Sequence, residues 1–402
     1  MAKYTQVPFT EIATLIRGVS YDKSVASVSE REDYIPILRA NNIQKNLVLA
    51  DLVYVPSDLV KEEQMIRKGD IVLAMSSGSK DLVGKSAQAD TDIDAAFGTF
   101  CGLIRAKENV DSKFLGLYFQ TQEYRNFVSY QSQGVNICNL KKKDIESLQI
   151  PLPPLSTQRA IVTRIETLFA ELDKAVQHLR TAQQQLKTYR QAVLKAAFEE
   201  CENTEKHLFG EIMADIRNGY GAKPTDCGSY KLLRISSVRA MNLNLDDYRF
   251  NNSSFDEKDI IKENDLLFTR YNGSVDLVGV CAYVPKLNDT YAYPDKIIRC
   301  RPKTNDAFHS KFLQYYINQG KAREFVRSKI KTTSGQNGIS GSDIKKIEIP
   351  LPPLTEQQRI VNEIELRLSQ ATASETYIEN ALQQADALRQ SILKKAFSGE
   401  LV

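Results

Sequence analysis

The chain has 402 residues, and 53 Lys+Arg against 50 Asp+Glu leave a formal net charge of +3 on a globular composition, 42% hydrophobic and 26% charged. At roughly 100 to 200 residues per domain, that length suggests two to four units, each able to bury its own core. No run approaches the ~20 apolar residues of a membrane span, and Met1 to Phe9 lacks a secretory h-region. The six cysteines (Cys101, Cys138, Cys201, Cys227, Cys281, Cys300) form no CxxC pair and complete no zinc set, so a metal-free protein of the reducing cytoplasm is expected.

In chain order, residues 1–149 read as a mixed α/β unit, with strand-like runs at Leu47 to Val55 and Ile71 to Met75 and a helix over Ser112 to Ser132. The hexamer IPLPPL at Ile150 to Leu155 then opens a tail, 150–199. A second mixed unit follows over 200–348, with a strand at Leu266 to Thr269 and a helix over Ser310 to Lys329. The hexamer returns at Ile349 to Leu354 and opens a second tail, 349–402.

The two tails align without a gap at an offset of 199, with 20 of 51 positions identical, which chance does not give; the chain is an internal duplication. The globular parts correspond more faintly at an offset of 195: Arg39 with Arg234, Asp70 with Asp265, and Asp81-Leu-Val-Gly84 with Asp276-Leu-Val-Gly279. Duplicated parts that drift mainly there have been doing different work there.

Pro151, Pro153 and Pro154 hold the chain extended, and Ser156 or Thr157 in one copy, Thr355 or Glu356 in the other, can start a helix. Beyond them Ile161, Ile165, Leu168, Leu172, Ala175, Leu179, Ala182, Leu186, Tyr189 and Val193 alternate in steps of four and three, a heptad seam. The second copy places Ile360, Ile364, Ile378, Leu388 and Ile392 on the same seam, with Arg367 and Ser374 as its polar members. Two seams of equal length most simply pack on each other, antiparallel if a two-fold relates the halves, with the globular parts at opposite ends. The alternative is two helices, each docked on its own domain; against it, ~40 residues at 1.5 Å rise span ~60 Å, more than a small domain covers.

Catalytic motifs are weak. Gly78 to Ser86 follows an apolar strand and ends in Gly-Lys-Ser, but five residues separate its glycines where a phosphate loop has four, and the second copy has Val280 and Cys281 in place of Lys85 and Ser86. The shared Gly-Ser-x-Asp-Leu-Val-Gly reads as a turn common to both units. With three histidines, no GxSxG, no HExxH and no dinucleotide fingerprint, a catalytic site is not expected. A binding protein remains. Each globular part groups basic and amide side chains on predicted loops, the combination that reads phosphates and base edges. In the first these are Arg39, Asn41, Asn42, Lys45, Ser77, Lys80, Asn136, Asn139 and Lys141; in the second, Arg234, Ser236, Arg239, Arg270, Tyr271, Asn272, Lys331, Gln336 and Asn337. A single such cluster is usually a solvated loop, but these recur at equivalent places.

The two IPLPPL-x-x-Q tails, the endings Arg190-Gln-Ala-Val-Leu-Lys-Ala-Ala-Phe198 and Arg389-Gln-Ser-Ile-Leu-Lys-Lys-Ala-Phe397, and Asn264-Asp-Leu-Leu-Phe-Thr-Arg-Tyr-Asn-Gly-Ser274 resemble the specificity subunit of type I restriction-modification enzymes over essentially the whole chain. The resemblance implies two target recognition domains, each reading half of a bipartite DNA sequence, joined by antiparallel conserved helices. It further implies that the helices dock two S-adenosylmethionine-dependent methyltransferase subunits and that motor/nuclease subunits using ATP and Mg2+ join for restriction. The specificity subunit itself then carries no catalytic site, cofactor or metal. One departure stands out: Ala74 and Met75 occupy the place of Thr269 and Arg270, so the contact expected from Arg270 is missing from the first domain or moved to Lys80. Two further readings stay open, a coiled-coil scaffold indifferent to DNA and a stand-alone nucleotide-using enzyme.

Overall fold

The computed structural model describes residues 4–79, 82–131, 138–221, 224–252, 255–303, 308–333 and 335–402. The chain forms two compact units, Met1–Arg180 with Glu379–Val402, and Thr181–Ile378. Each contains one globular part, the first half of one long helix and the last half of the other.

In unit 1 a four-stranded antiparallel sheet runs in the order Ala13–Arg17, Cys101–Ala106, Ile71–Ala74, Ser86–Gln88. Ile71–Ala74 is apolar at every position, and all four residues are buried because alternate side chains point to opposite faces and both faces are covered. Leu73 and Ile104 pack under the helices Ser112–Tyr118 and Gln122–Gln131. Val72 and Leu103 face a mixed sheet of Val53–Pro56, Tyr34–Leu38 and Ala96–Phe97. Unit 2 repeats the plan. Its antiparallel sheet is Met213–Asn218, Ile297–Pro302, Leu266–Thr269, Cys281–Tyr283, and its mixed sheet is Tyr248–Asn251, Tyr230–Leu233, Tyr291–Ala292.

An ion pair between a half-buried arginine and a buried aspartate braces each main sheet at the same place: Arg105 Nη2 is 2.6 Å from Asp70 in unit 1, and Arg301 Nη2 is 2.8 Å from Asp265 in unit 2. The hexamers leave the sheets through two-stranded ribbons, Gln6–Pro8 with Gln149–Pro151 and Lys206–Leu208 with Glu348–Pro350. The glutamine three residues after each hexamer is buried and satisfied on both sides. Gln158 donates to the Pro153 carbonyl (2.8 Å) and accepts from the Asp111 amide (2.9 Å), and Gln357 does the same with Pro352 and His309 (2.8 Å each). Each amide thus ties a helix start in the globular part to the proline corner.

The long helices, Leu155–Glu199 and Leu354–Ser398, are 45 residues each and pack against each other. In unit 1 Ile161 and Ile165 share a core with Ile392, Leu393, Ala396 and Phe397; in unit 2 Leu194 and Phe198 share one with Ile360, Val361 and Ile364. Early residues of one helix meet late residues of the other within each unit, so they run antiparallel.

The seam is rotated from its expected position. Ile364, Ala371, Ile378, Ala385 and Ile392, seven residues apart, are buried, and so is Ile360 at the end of the other column, but Leu388 is 51% exposed. The flanking column lies four residues after the central one, at Leu368, Glu375, Leu382 and Arg389, all half-buried. In the first helix Ile161 and Ile165 are buried and Leu168, Leu172, Leu179 and Leu186 half-buried, whereas Ala175 and Tyr189 are exposed. Cross-helix polar contacts accompany this rotation. Arg389 stacks on the Phe169 ring (4.1 Å to its centroid) and pairs with Asp173; at the equivalent place Arg190 reaches Glu375 (2.7 Å) and Thr372 (3.0 Å).

Other expectations shift for local reasons. Of the expected Leu47 to Val55 strand only the last three residues form, within Val53–Pro56, because Asp51 adopts φ +54° and the Asn42 amide holds the Val48 and Ala50 carbonyls in a loop. The expected long helix from Ser112 breaks at Thr121, whose hydroxyl accepts from the Tyr124 amide, and its end at Ser132 lies outside the described residues. The helix from Ser310 breaks at Gly320, φ +50°, into Ser310–Ile317 and Gly320–Ser328.

Candidate nucleic-acid interface

In unit 1 the ends of several strands are tied together by backbone hydrogen bonds. The Gly98 amide donates to the Leu38 carbonyl (2.9 Å), next to Arg39; the Met75 and Ser76 amides both donate to the Phe100 carbonyl (2.8 and 3.2 Å); and the Leu140 amide donates to Met75 (2.8 Å). Ser76–Ser77 pairs with Cys138–Asn139. Arg39, Ser77, Asn139 and Lys141, which begins the next short helix, therefore converge on one rim although they lie up to a hundred residues apart. Arg39, Asn41, Asn139 and Lys141 are exposed and Ser77 half-exposed. Asn42 does not belong with them: it is buried, and its amide braces the loop that carries Arg39. Lys45 turns toward Asp173 of the long helix (3.4 Å). Lys80 and Asn136 lie outside the described residues.

Unit 2 has the corresponding junction. The Arg270 amide donates to the Lys296 carbonyl (2.8 Å), and the Ile339 amide donates to Arg270 (3.0 Å). A small sheet of Tyr271–Asn272, Gln336–Gly338 and Lys331–Thr333 then gathers six of the nine sequence candidates, counting Arg270 at its root. Arg270 lies over the Tyr271 ring (4.6 Å to its centroid). Asn337 is buried, donating to the Gly273 carbonyl (3.0 Å) and accepting from Thr332, so it shapes this sheet from within. Arg234, Ser236 and Arg239 sit on the turn after Tyr230–Leu233, where Arg234 pairs with Asp247 (3.2 Å) and the half-buried Arg239 donates to the Val238 carbonyl.

Sequence reading missed two residues at these junctions. Phe100 is 67% exposed, and Lys296, its equivalent in unit 2, is exposed as well. A lone aromatic after Gly-Thr carries no local signal; it stands out only once the Met75 and Arg270 amides are found bonded to equivalent carbonyls.

Around Gly84, the stretch that ends in Gly-Lys-Ser forms a structural turn. Ser86–Gln88 forms a strand paired with Ile71–Leu73, so no helix N-terminus follows the glycines as a phosphate loop requires. Gly84 has φ +73°, and a Cβ there would lie 2.6 Å from Val128; Gly279 has φ +66° and 2.5 Å to Val326. Arg125 and Arg323 hold the two turns through the Val83 and Val278 carbonyls. Among the described residues, no three His, Cys, Asp or Glu side chains come together as a metal site, and no helix is long and apolar enough to cross a membrane.

Comparison with known proteins bears on this arrangement. Residues 1–179 and 225–384 match the family model described as type I restriction modification DNA specificity domain. The chain is 42% identical, over 98% of its length and 88% of the relative's, to the type I restriction enzyme EcoKI specificity subunit of Escherichia coli strain K12. It is 37% identical, over 99% and 89%, to the StySPI specificity subunit of Salmonella potsdam. Among solved structures it superposes on a chain from a study of complex assembly and conformational transition of the type I R-M system, with TM-score 0.76, 19% identity and 99% and 98% coverage. The HsdS subunit from Thermoanaerobacter tengcongensis superposes with TM-score 0.58 and 20% identity, covering 99% and 97%. A duplicated fold, two rims built on the same backbone junctions and a family match over both halves agree: the chain belongs to the type I restriction-modification specificity subunits, which recognise DNA sequence through two domains.

Proposed function

We propose that each rim reads one half of a bipartite DNA target. Unit 1 acts through Arg39, Asn41, Ser77, Asn139 and Lys141, and unit 2 through Arg234, Ser236, Arg239, Arg270, Tyr271, Asn272, Lys331 and Gln336, with Asn42 and Asn337 shaping the loops from beneath. The observation that carries this reading is that the same backbone junction recurs in both units while the side chains on it differ, as two readers of unlike sequences require. The long helices serve as a spacer: 45 helical residues span ~68 Å, an upper bound of about two duplex turns at ~34–36 Å each. The domain boundaries that follow are 1–149 and 200–348 for recognition, and 150–199 and 349–402 for the spacer.

The chain supplies no catalytic group in this reading. Methylation and cleavage belong to partners: two methyltransferase subunits that use S-adenosylmethionine, and motor/nuclease subunits that use ATP and Mg2+, in the cytoplasm. Near-neutral charge is compatible with DNA binding if those partners supply much of the phosphate grip. Methylation of an adenine requires that base to leave the stack and enter the partner's pocket.

The test is to co-purify the chain with its methyltransferase subunit, map methylated adenines genome-wide, and then exchange residues 1–149 for another recognition domain. One half-site should change and the other stay fixed. A change in both, or a wild-type complex indifferent to sequence, contradicts the reading.

A further inference from the structure

We propose, resting on the DNA-reading role just given, that Phe100 is an apolar base-reading residue of unit 1 that packs on the C5-methyl group of a thymine, while Lys296 at the same place in unit 2 grips a phosphate. Phe100 is a large ring with two-thirds of its surface in solvent. Its backbone is fixed, since its carbonyl takes both the Met75 and Ser76 amides and the preceding Thr99 hydroxyl donates to the Val19 carbonyl (2.9 Å). The ring is therefore presented from a tethered turn, beside the strand pair that carries Ser77 and Asn139.

Unit 2 builds the same junction with opposite chemistry. Arg270 stands for Met75 and Lys296 for Phe100, so two cations replace two apolar side chains. The missing Arg270 equivalent is thus one half of a paired change. Cations at a rim draw phosphates without regard to sequence, whereas an aromatic there gains nothing from phosphate and needs an apolar partner. On duplex DNA the apolar group exposed in the major groove is the thymine methyl.

The experiment uses the full chain with its methyltransferase subunit, on duplexes carrying the mapped target. Phe100→Ala should lose about tenfold in discrimination at one A·T pair of one half-site, with the slope of log affinity against log salt unchanged. Replacing that thymine by deoxyuridine, which removes only the methyl, should cost the wild type the same factor and the variant nothing further, the non-additivity of a direct contact. Lys296→Ala should reduce the salt slope by about one and leave base preference intact. The proposal is overturned if Phe100→Ala keeps full discrimination, if the unit 1 half-site contains no A·T pair, or if the variant fails to assemble with the methyltransferase subunit, which would make the ring a protein contact. A wild-type complex that binds all duplexes alike would sink the DNA-reading role itself.

Discussion

In unit 1 the middle of the strand Cys101–Ala106 carries Leu103, packed in a dry core with Val72 and Phe97. The equivalent strand of unit 2, Ile297–Pro302, carries Arg299 there, with none of its surface exposed. The guanidinium is held by Asp215, by the Tyr293 hydroxyl (3.0 Å) and by the Lys258 carbonyl (3.3 Å); its Nη1 has no hydrogen-bond partner and lies 3.9 Å from Asp265. Burial works against the charge, and the neighbouring Tyr293, Asp265 and Asp215 more than offset it, so the group stays ionised. Copies of one fold thus solve the same core position by burying a leucine and by burying a charge with its counter-ions. The comparison teaches that the duplicated scaffold is preserved where it meets the long helices, through Gln158 and Gln357, and is free to diverge between its two sheets.

Breaking that contrast should have the largest effect. Arg299→Ala opens a cavity and takes from Asp215 one of its two guanidinium partners, Arg217 (2.6 Å) being the other, and should destabilise unit 2 by ~2–4 kcal/mol, whereas Arg299→Leu, the side chain of unit 1, combined with Asp215→Asn should recover most of that loss. Urea denaturation followed by far-UV circular dichroism would measure both, since the chain has no tryptophan to report by fluorescence. A double variant no more stable than Arg299→Ala would show that the cation is needed for more than balancing its own carboxylates.

The shared glutamines come next. Gln158→Ala and Gln357→Ala each strand a buried amide and a buried carbonyl and should each cost ~2 kcal/mol. Because the two sites are equivalent, the losses should match to within ~0.5 kcal/mol and add in the double variant. A large mismatch would show that the two corners are not energetically the same device.

The smallest effect sharpens the contrast at the helix those glutamines reach. Asp111 caps Ser112–Tyr118 by accepting from the Phe114 amide (3.0 Å), but His309, its counterpart, makes no side-chain cap. Burial, reinforced by Lys311, holds the His309 imidazole below its ordinary value. The folded state thus favours the neutral ring. Stability from this site is intact above about pH 6.5 and is lost as the pH falls, because the unfolded chain takes up the proton first. His309→Asp should restore a cap worth ~1 kcal/mol at pH 7.5 and remove that acid loss between pH 6.5 and 5.5. Melting temperatures at the two pH values test it; a variant that loses as much as the wild type over that window rules out His309 as the cause.

Much of this was legible in the residues alone. The hexamers, the gapless tail alignment and the four-three spacing give two long helices and a duplicated α/β unit, because periodicity and identity are local signals. The rotation of the seam was not legible. Ile364, Ala371, Ile378, Ala385 and Ile392 accept a flanking column either four residues before or four after, and the column used is the one on which Arg389 meets Phe169 and Asp173, a contact between segments 216 residues apart. The rims were half legible. Loop chemistry picked out Arg39, Asn139 and the Arg270 to Asn272 run, but it could not separate Asn42 and Asn337, whose amides turn inward, from amides that face solvent. Phe100 needed three distant backbone segments to be brought together first.

The discontinuity of unit 1 has a consequence for synthesis. Ile392, Leu393, Ala396 and Phe397 are part of its core, so the portion that leaves the ribosome first cannot close until residues near the end of the described chain have emerged. Unit 2, contiguous from Thr181 to Ile378, can complete itself earlier. The nascent protein therefore carries an open apolar face on its oldest part for most of translation, a window in which chaperones would find it and in which a premature stop before Ile392 would leave a finished second half beside a first half that cannot seal.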